Sequence, residues 1–226
     1  NGIHYLFFYR NGRAINLKAQ RVVTPFLVIS ALLMPLSGDF SAKGVAQRQP
    51  VKLAAMEAHF HTEKSADLIV GGIPNVKEQK VDYALRIPGA LSFLAFGDFQ
   101  SEVKGLEEFS ESLWPPITIT HIAFQIMVGL GMFMALIAIL HLFKKRFSLN
   151  KKRWFQWLNI ISIPFGFIAL EAGWVVTEVG RQPWIIYGYL KTKDALTPVP
   201  GIQYSLILFT LVYLSLSVVV VWLMHR

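Results

Sequence analysis

The stretch EAGWVVTEVGRQPWIIYGYL, residues Glu171–Leu190, decides the fold because it places charges at the end of a long apolar run. That run, Trp154–Val176, has the length and composition of a membrane-spanning helix. A carboxylate at bilayer depth is costly, so it usually faces a partner, a cavity or a metal. Glu171 and Glu178 are seven residues apart, about two helical turns, with Trp174 between them. We therefore expect one helix face to point two acids inward.

The composition extends this prediction to the whole chain. Its 226 residues are 54% hydrophobic, with a mean hydropathy of +0.45 and several apolar runs of span length. We predict an all-α fold, a polytopic transmembrane helical bundle, and exclude a soluble domain. The net charge of +8 comes from basic residues in short loops beside the spans, where they set topology instead of binding nucleic acid.

Cysteine is absent, which excludes several kinds of site. There can be no disulfide, no iron–sulfur cluster and no covalent haem attachment through C-x-x-C-H. Any haem would have to be held by axial ligands and packing.

The sequence divides into three parts. Residues 1–36 are predicted to hold the end of one span (residues 1–10) that begins upstream, a basic loop, and a transmembrane helix over Val22–Leu36. Residues 37–114 form a long polar loop with eight Lys/Arg and eleven Asp/Glu. Residues 115–226 are predicted to hold three spans: Ile117–Phe143, Trp154–Val176 with a kink near Pro164 and Gly166, and Ile202–Met224.

The two short basic segments, Arg10–Arg21 and Lys144–Arg153, set the orientation. The positive-inside rule assigns both to the cytoplasm. The 37–114 loop and the Glu178–Gly201 loop then lie on the outer face.

The long loop is predicted to be folded and functional, since structureless loops of that length are uncommon. Pro50 followed by VKLAAMEAHFHTEK predicts a short amphipathic helix. Turns are predicted at Gly38-Asp39, at residues 71–74 and at Pro88-Gly89. The similarity of GDFSAKG to GDFQSEVKG suggests two similar turns.

Met127 is the first candidate for cofactor chemistry. Gly129 and Gly131 follow it and leave room for a flat ligand or a close helix. A thioether is a soft axial ligand for haem iron. A core methionine beside a small-residue helix contact is the alternative, and Met132 and Met134 would be equally eligible ligands.

Charged candidates also have two interpretations. Glu178 is either an inward-facing ligand or proton acceptor, or an interfacial carboxylate paired with Arg181. Lys52 and Glu57 are, on composition alone, ordinary solvated charges.

The histidines give weaker signals. A spacing of i, i+2 directs His59 and His61 to different faces of a helix, so they are not expected to share a metal. His121 and His141 lie near opposite ends of one helix and are predicted to be interfacial.

Three segments carry a resemblance to a known family: GDFSAKGVAQRQPVKLAAMEAHFHTEK, FQIMVGLG and EAGWVVTEVGRQPWIIYGYLKT. Because these segments occur in this order and at this spacing, the chain resembles the C-terminal portion of subunit I of the cytochrome bd-type quinol oxidases. These are terminal oxidases of bacterial respiratory membranes. The resemblance implies a quinol-binding role for the outer loop. The family's histidine ligands would lie upstream of Asn1.

The resemblance implies haem roles for residues in the spans. Met127 matches the axial ligand of a low-spin haem b. Glu178 matches a glutamate of a high-spin haem b near the oxygen-reducing haem, of d or b type, with Arg181 and Trp174 as neighbours. Gln125 stands where many members have an arginine near the haem propionates.

In the loop, Lys52 and Glu57 match residues of quinol binding and oxidation, with Gln49 nearby. The implied activity is oxidation of ubiquinol or menaquinol at the outer face, with electrons passing through haem b to dioxygen and generation of proton motive force. The implied partners are subunit II and membrane lipid, and the implied location is the bacterial cytoplasmic membrane.

Two alternatives to an oxidase remain at this stage. A proton-coupled transporter would use Glu171 and Glu178 as a relay, with the loop gating access. A haem-free structural relative would keep the bundle without the cofactors.

Overall fold

The computed structural model describes residues 2–3, 5–6, 14–196 and 200–225. Its helices are α1 (Ala14–Arg48), α2 (Pro50–Glu57), α3 (Ala90–Phe96), α4 (Ile117–Leu142), α5 (Arg153–Ile161), α6 (Phe165–Val179) and α7 (Ile202–His225). The strands are β1 (Glu63–Lys64), β2 (Leu68–Val70), β3 (Ile73–Asn75), β4 (Lys80–Asp82), β5 (Leu85–Ile87), β6 (Glu102–Val103), β7 (Trp184–Ile186) and β8 (Leu190–Lys191).

The chain divides into two compact units, Asn1–Lys191 and Thr192–Arg226. The second unit consists mainly of α7, whose described side chains are exposed along its length.

Within the described residues, four stretches are long and apolar enough to cross a membrane: Lys18–Arg48, Ile117–Leu142, Arg153–Val179 and Ile202–His225. The predicted helical, polytopic class is confirmed. The predicted kink is also present, because α5 ends at Ile161 and α6 begins at Phe165 after Pro164.

Helix α1 is longer than predicted. It continues twelve residues beyond Leu36 to Arg48, so the predicted turn at Gly38-Asp39 is wrong. The Lys43 ammonium donates to Asp39 at 2.7 Å, one helical turn away, which supports the extension. GDFQSEVKG instead begins with Gly97 at φ +80°, so the two similar sequences do not form two similar turns. Helix α1 also begins eight residues before the predicted Val22, so Lys18 and Arg21 of the predicted basic loop lie within it. Arg10 and Arg13 of that loop lie outside the described residues.

Residues 49–116 form a small folded region. Helix α2 begins at Pro50 and ends at Glu57, because Ala58 adopts a left-handed conformation (φ 48°). The predicted helix is therefore too long, and His59 and His61 follow it. Strand pairs β3–β4, β2–β5 and β1–β6 are antiparallel and nested, so the chain runs out and returns alongside itself. The sequence did not predict these strands, nor the fourth pair, β7–β8.

Helix α2 contributes to three hydrophobic clusters that dock this region onto the spans, one of them through Met56. A second cluster joins Ala54 and Ala55 to Phe60, Leu106 and Ile117 at the start of α4. The third joins Leu53 to Ala46 of α1 and to Leu91 and Ala95 of α3. The short helix is consequently buried on most of its surface.

The spans pack with α4 in contact with both α1 and α6. Lys144, after α4, donates to Thr24 of α1 at 3.0 Å, so the basic ends of the two helices lie together. The folded region sits against the opposite end of α4. The orientation of these two ends across a membrane stays a prediction of the positive-inside rule.

Gly105 offers a test of the folded region. A Cβ at this position would lie 2.4–2.6 Å from backbone atoms of Phe60, His61 and Thr62, which cannot move aside. We expect Gly105→Ala to destabilise the region by about 1–3 kcal/mol, measured by limited proteolysis or thermal unfolding of the purified protein. Gly38→Ala is the matched control, since nothing lies within 4 Å of its Cβ position; equal loss in both variants would contradict the packing described.

Candidate functional site

Lys52 projects from α2 toward the end of α6. Its Nζ lies 3.5 Å from the carbonyl oxygen of Thr177. Burial lowers the pKa of Lys52, the positive charge of Arg181 lowers it further, and Glu178 acts in the opposite direction. The loop residue and the charged end of α6, which the sequence placed in separate segments, therefore form one cluster.

Gly180 makes this approach possible. A Cβ there would lie 3.0 Å from Cγ2 of Thr120 and 3.4 Å from Cε of Lys52. The missing side chain lets the end of α6 pack closely on α4 and α2.

Glu57 occupies a different environment at the other end of α2. It is 3% exposed, and its Oε2 has no hydrogen-bond partner within the described part of the chain. Burial raises its pKa to about 8. The interpretation of Glu57 as an ordinary solvated charge is therefore wrong, and the carboxyl is largely neutral at pH 7.

His121, predicted to be interfacial, is fully buried beneath α2. Its Nδ1 lies 2.8 Å from the carbonyl oxygen of Met56, and its Nε2 lies 3.4 Å from that of Gly71. The sequence did carry a signal, because Ile117, His121 and Gln125 recur at four-residue intervals on one helix face. That face contacts the loop.

Both polar atoms of the Gln125 side chain form hydrogen bonds with the backbone of the loop. Its Nε2 donates to the carbonyl oxygen of Ile69 at 2.9 Å, and the amide of Gly71 donates to its Oε1 at 3.0 Å. The amide group thus binds the strand β2 and the turn after it.

Met127, two residues further along α4, lines an open cleft of about 640 Å³. Its sulfur packs on α6, 3.0 Å from where a Cβ of Gly173 would lie. Gly131 packs on Met34 of α1, whereas the Cβ position of Gly129 is open. The remaining cleft residues are Ala169, Leu170, Glu171, Trp174 and Thr177.

The lining of this cleft suits an apolar cofactor with one soft ligand from the chain. Its lining is mainly apolar, and its volume lies within the range of cofactor sites, roughly 300–1,000 Å³. The thioether of Met127 is a donor of the type that haem iron accepts. Met132 and Met134 do not line this cleft.

The acidic stripe of α6 is oriented differently from the prediction. Val176 is the buried residue of the helix and packs with Met56 and Ala123. Glu171 and Glu178 are exposed, as is Trp174 at 63%, so the expected inward direction is wrong for the packing of this chain. These positions lie roughly on the far side from Val176 in a helix of 100° per residue.

Glu178 also forms the ion pair that the sequence offered as an alternative. Nη2 of Arg181 donates to its Oε1 at 3.0 Å, and both side chains are partly exposed. Among the described residues, no group of three or more His, Asp or Glu side chains is arranged to bind a metal. Among the ion pairs of the described residues, the carboxylate of Glu178 is therefore held by Arg181 alone.

Comparisons with known proteins identify a family and several relatives. The family model "Cytochrome bd terminal oxidase subunit I" matches residues 1–226. The "Putative cytochrome bd menaquinol oxidase subunit I" of Bacillus subtilis (strain 168) is 42% identical over 199 residues, 87% of this chain and 44% of the relative. The "Cytochrome bd ubiquinol oxidase subunit 1" of the same organism is 33% identical over 207 residues, 84% of this chain and 44% of the relative.

A solved structure is also similar. The bd oxidase from Geobacillus thermodenitrificans matches with a TM-score of 0.83 and 37% identity, covering 96% of this chain and 51% of that chain. The chain spans about half the length of the relatives it matches.

The buried carboxyl predicts a pH dependence of loop stability. Between the ordinary pKa of 4.5 and the folded value of about 8, an unfolded loop releases a proton that the folded loop retains. Folded-loop stability should therefore fall as pH rises through this window. In Glu57→Gln this part of the dependence should disappear, measured as the rate of loop proteolysis from about pH 5 to pH 9 with a protease of known pH profile.

The matched control is Glu63→Gln, which changes an exposed carboxylate of the same loop. It should follow the parent protein. Parallel curves for Glu57→Gln and the parent protein would show that the Glu57 carboxyl is not buried.

Proposed function

Because this chain belongs to the cytochrome bd terminal oxidase subunit I family, we propose that it supplies the quinol-oxidising loop and haem-binding residues of a quinol:dioxygen oxidoreductase. The transporter alternative has no support from the comparisons. The family implies haem cofactors, and four apolar helices make the chain a membrane protein.

One observation carries the proposal. Helix α2 presents Lys52 and Glu57 and is docked between α4, which carries Met127, and the end of α6, which carries Glu178 and Arg181. A donor bound at α2 would lie next to both helices proposed to hold haem. Such proximity is what electron transfer out of a bound quinol requires.

Quinol oxidation removes two electrons and two protons, and the loop residues suit the proton part. The ammonium of Lys52 can donate a hydrogen bond to a quinol oxygen. Although Glu57 is largely neutral at pH 7, its ionised fraction can accept a quinol proton, and its pKa of about 8 makes that fraction a stronger base than an ordinary glutamate. Gln49 immediately precedes α2, three residues before Lys52.

Haem, when bound, carries the electrons. The thioether of Met127 would hold a low-spin haem b in its cleft, with Gln125 close by on the same helix. Glu178 would be the ligand of a high-spin haem b, with Arg181 orienting the carboxylate and Trp174 beside it. A third haem, of d or b type, would serve dioxygen.

The location of the loop determines the side of the membrane on which quinol protons are released. With the basic ends of α1 and α4 in the cytoplasm, protons from quinol are released at the outer face. Protons for water formation taken from the cytoplasm would then generate proton motive force. We assign the chain to the bacterial cytoplasmic membrane, with subunit II and lipid as partners and ubiquinol or menaquinol as donor.

The proposal is tested first at Met127. In the complete oxidase, Met127→Leu should abolish the low-spin haem b signal or shift it to high spin, because leucine has no donor atom. The measurement is the reduced-minus-oxidised optical spectrum of membranes. Met132→Leu is the matched control, since that thioether is 62% exposed and outside the cleft. If membranes that contain the complete oxidase showed no haem bands, the proposed function would be refuted.

The second test concerns the loop carboxyl. Glu57→Ala should lower quinol oxidation by about 10²–10⁴-fold, the usual contribution of a general base. Oxidation of an artificial electron donor that reduces haem directly should remain close to that of the parent protein. Glu63→Ala, which removes an exposed carboxylate, should change neither rate, and equal loss of both activities in Glu57→Ala would argue against a quinol role.

A further inference from the structure

We propose that His121 is a positioning residue of the quinol site, which holds the peptide between Met56 and Glu57 and so fixes Glu57 relative to the helix that carries Met127. The inference rests on the proposed function and deepens it. His121 does not need to touch quinol or haem in this role. It acts through the backbone of α2.

The first step is the end of α2. The last carbonyl groups of a helix have no partner within it and need donors from elsewhere. The amide of Ala58 donates to the carbonyl oxygens of Ala54 and Ala55. The next carbonyl, that of Met56, has His121 Nδ1 at 2.8 Å. A carbonyl oxygen can only accept, so the imidazole donates this hydrogen bond through Nδ1.

The second step concerns the other hydrogen bonds that this face of α4 makes with the loop. Gln125, one turn on from His121, is bonded to the backbone of Ile69 and Gly71. Two loop segments that are about fifteen residues apart in sequence are thus fastened to a single face of α4. The end of α2 cannot shift without disturbing His121.

The third step is burial. His121 and its neighbour Thr120 are fully buried, and Ala123 packs with Met56 and Val176 directly beside them. Water therefore cannot easily replace the imidazole as a donor to Met56. Losing that donor would leave a buried carbonyl unpaired next to the carboxyl-bearing residue, which is costly.

The consequence is geometric. Met127 lies six residues after His121 on the same continuous helix, a rise of about 9 Å. The residue that accepts quinol protons and the residue that ligates the electron-accepting haem are therefore held by one rigid element. His121 sets the distance between them.

Two polar substitutions separate positioning from simple packing. Asparagine places its amide nitrogen near the position of Nδ1 and can still donate to Met56, whereas glutamine places its nitrogen one bond further out, near Nε2. His121→Leu removes the donor altogether. His61→Ala is the control, because His61 is an exposed loop histidine paired with Glu107.

The variants are compared in the complete oxidase in native membranes. The measurements are KM and kcat for decylubiquinol and for menadiol, oxidation of ascorbate-reduced tetramethylphenylenediamine, and the haem spectrum. We expect His121→Gln and His121→Leu to raise the quinol KM about tenfold, equivalent to about 1.4 kcal/mol. The haem spectrum and the artificial-donor rate should stay unchanged, and His121→Asn should stay within about threefold of the parent KM, or about 0.7 kcal/mol.

The outcomes are distinguishable. If the parent enzyme is active and all three His121 variants have the same KM as the parent, the inference is overturned and the proposed function stays intact. Equal increases in His121→Asn and His121→Gln also overturn it, because packing alone would then explain the loss. A parent enzyme that shows haem bands but oxidises neither quinol refutes the proposed function itself.

Discussion

The structure depends on the burial of one short helix, α2, between the ends of membrane spans. Its residues Ala54 and Ala55 are fully buried, which permits the close approach of neighbouring backbones. The same burial encloses Glu57 and raises its pKa, since a charged carboxylate loses its hydration there. Packing and site chemistry are thus two results of a single docking event.

Small residues make this docking work. Gly180 has no side chain to separate α6 from Thr120 and Lys52, and Gly105 lets the returning chain pass against residues 60–62. Hydrogen bonds then fix the register, with His121 and Gln125 bonding three carbonyl or amide groups of the loop backbone within 3.0 Å. Apolar contact supplies attraction without direction, whereas these bonds select a unique arrangement.

The spans were predictable because the mean hydropathy is taken over about twenty residues, so single polar residues within a span change it little. The break at Pro164 was predictable from the missing amide hydrogen of proline. The end of α1 was not, because Gly38 and Asp39 are turn residues by propensity, and tertiary packing of Ala46 against α3 favours the helix. Strands of two or three residues are too short to show alternation, so the nested pairs carried no signal. His121 was misplaced because a histidine one turn into a span normally reaches the interface, and only the docked loop supplies its buried partner.

The direction of the acidic stripe on α6 follows from the same packing. The helix turns Val176 toward Met56 and Ala123, which leaves Glu171, Trp174 and the cleft at Met127 on its other side. An apolar face with a carboxylate at span depth is costly when it is exposed to lipid. A bound cofactor or further protein can instead contact the carboxylates on this side of α6 and the thioether of Met127. The open side of α6 is thus the side on which the proposed haem contacts lie, and the closed side is the one that holds the loop.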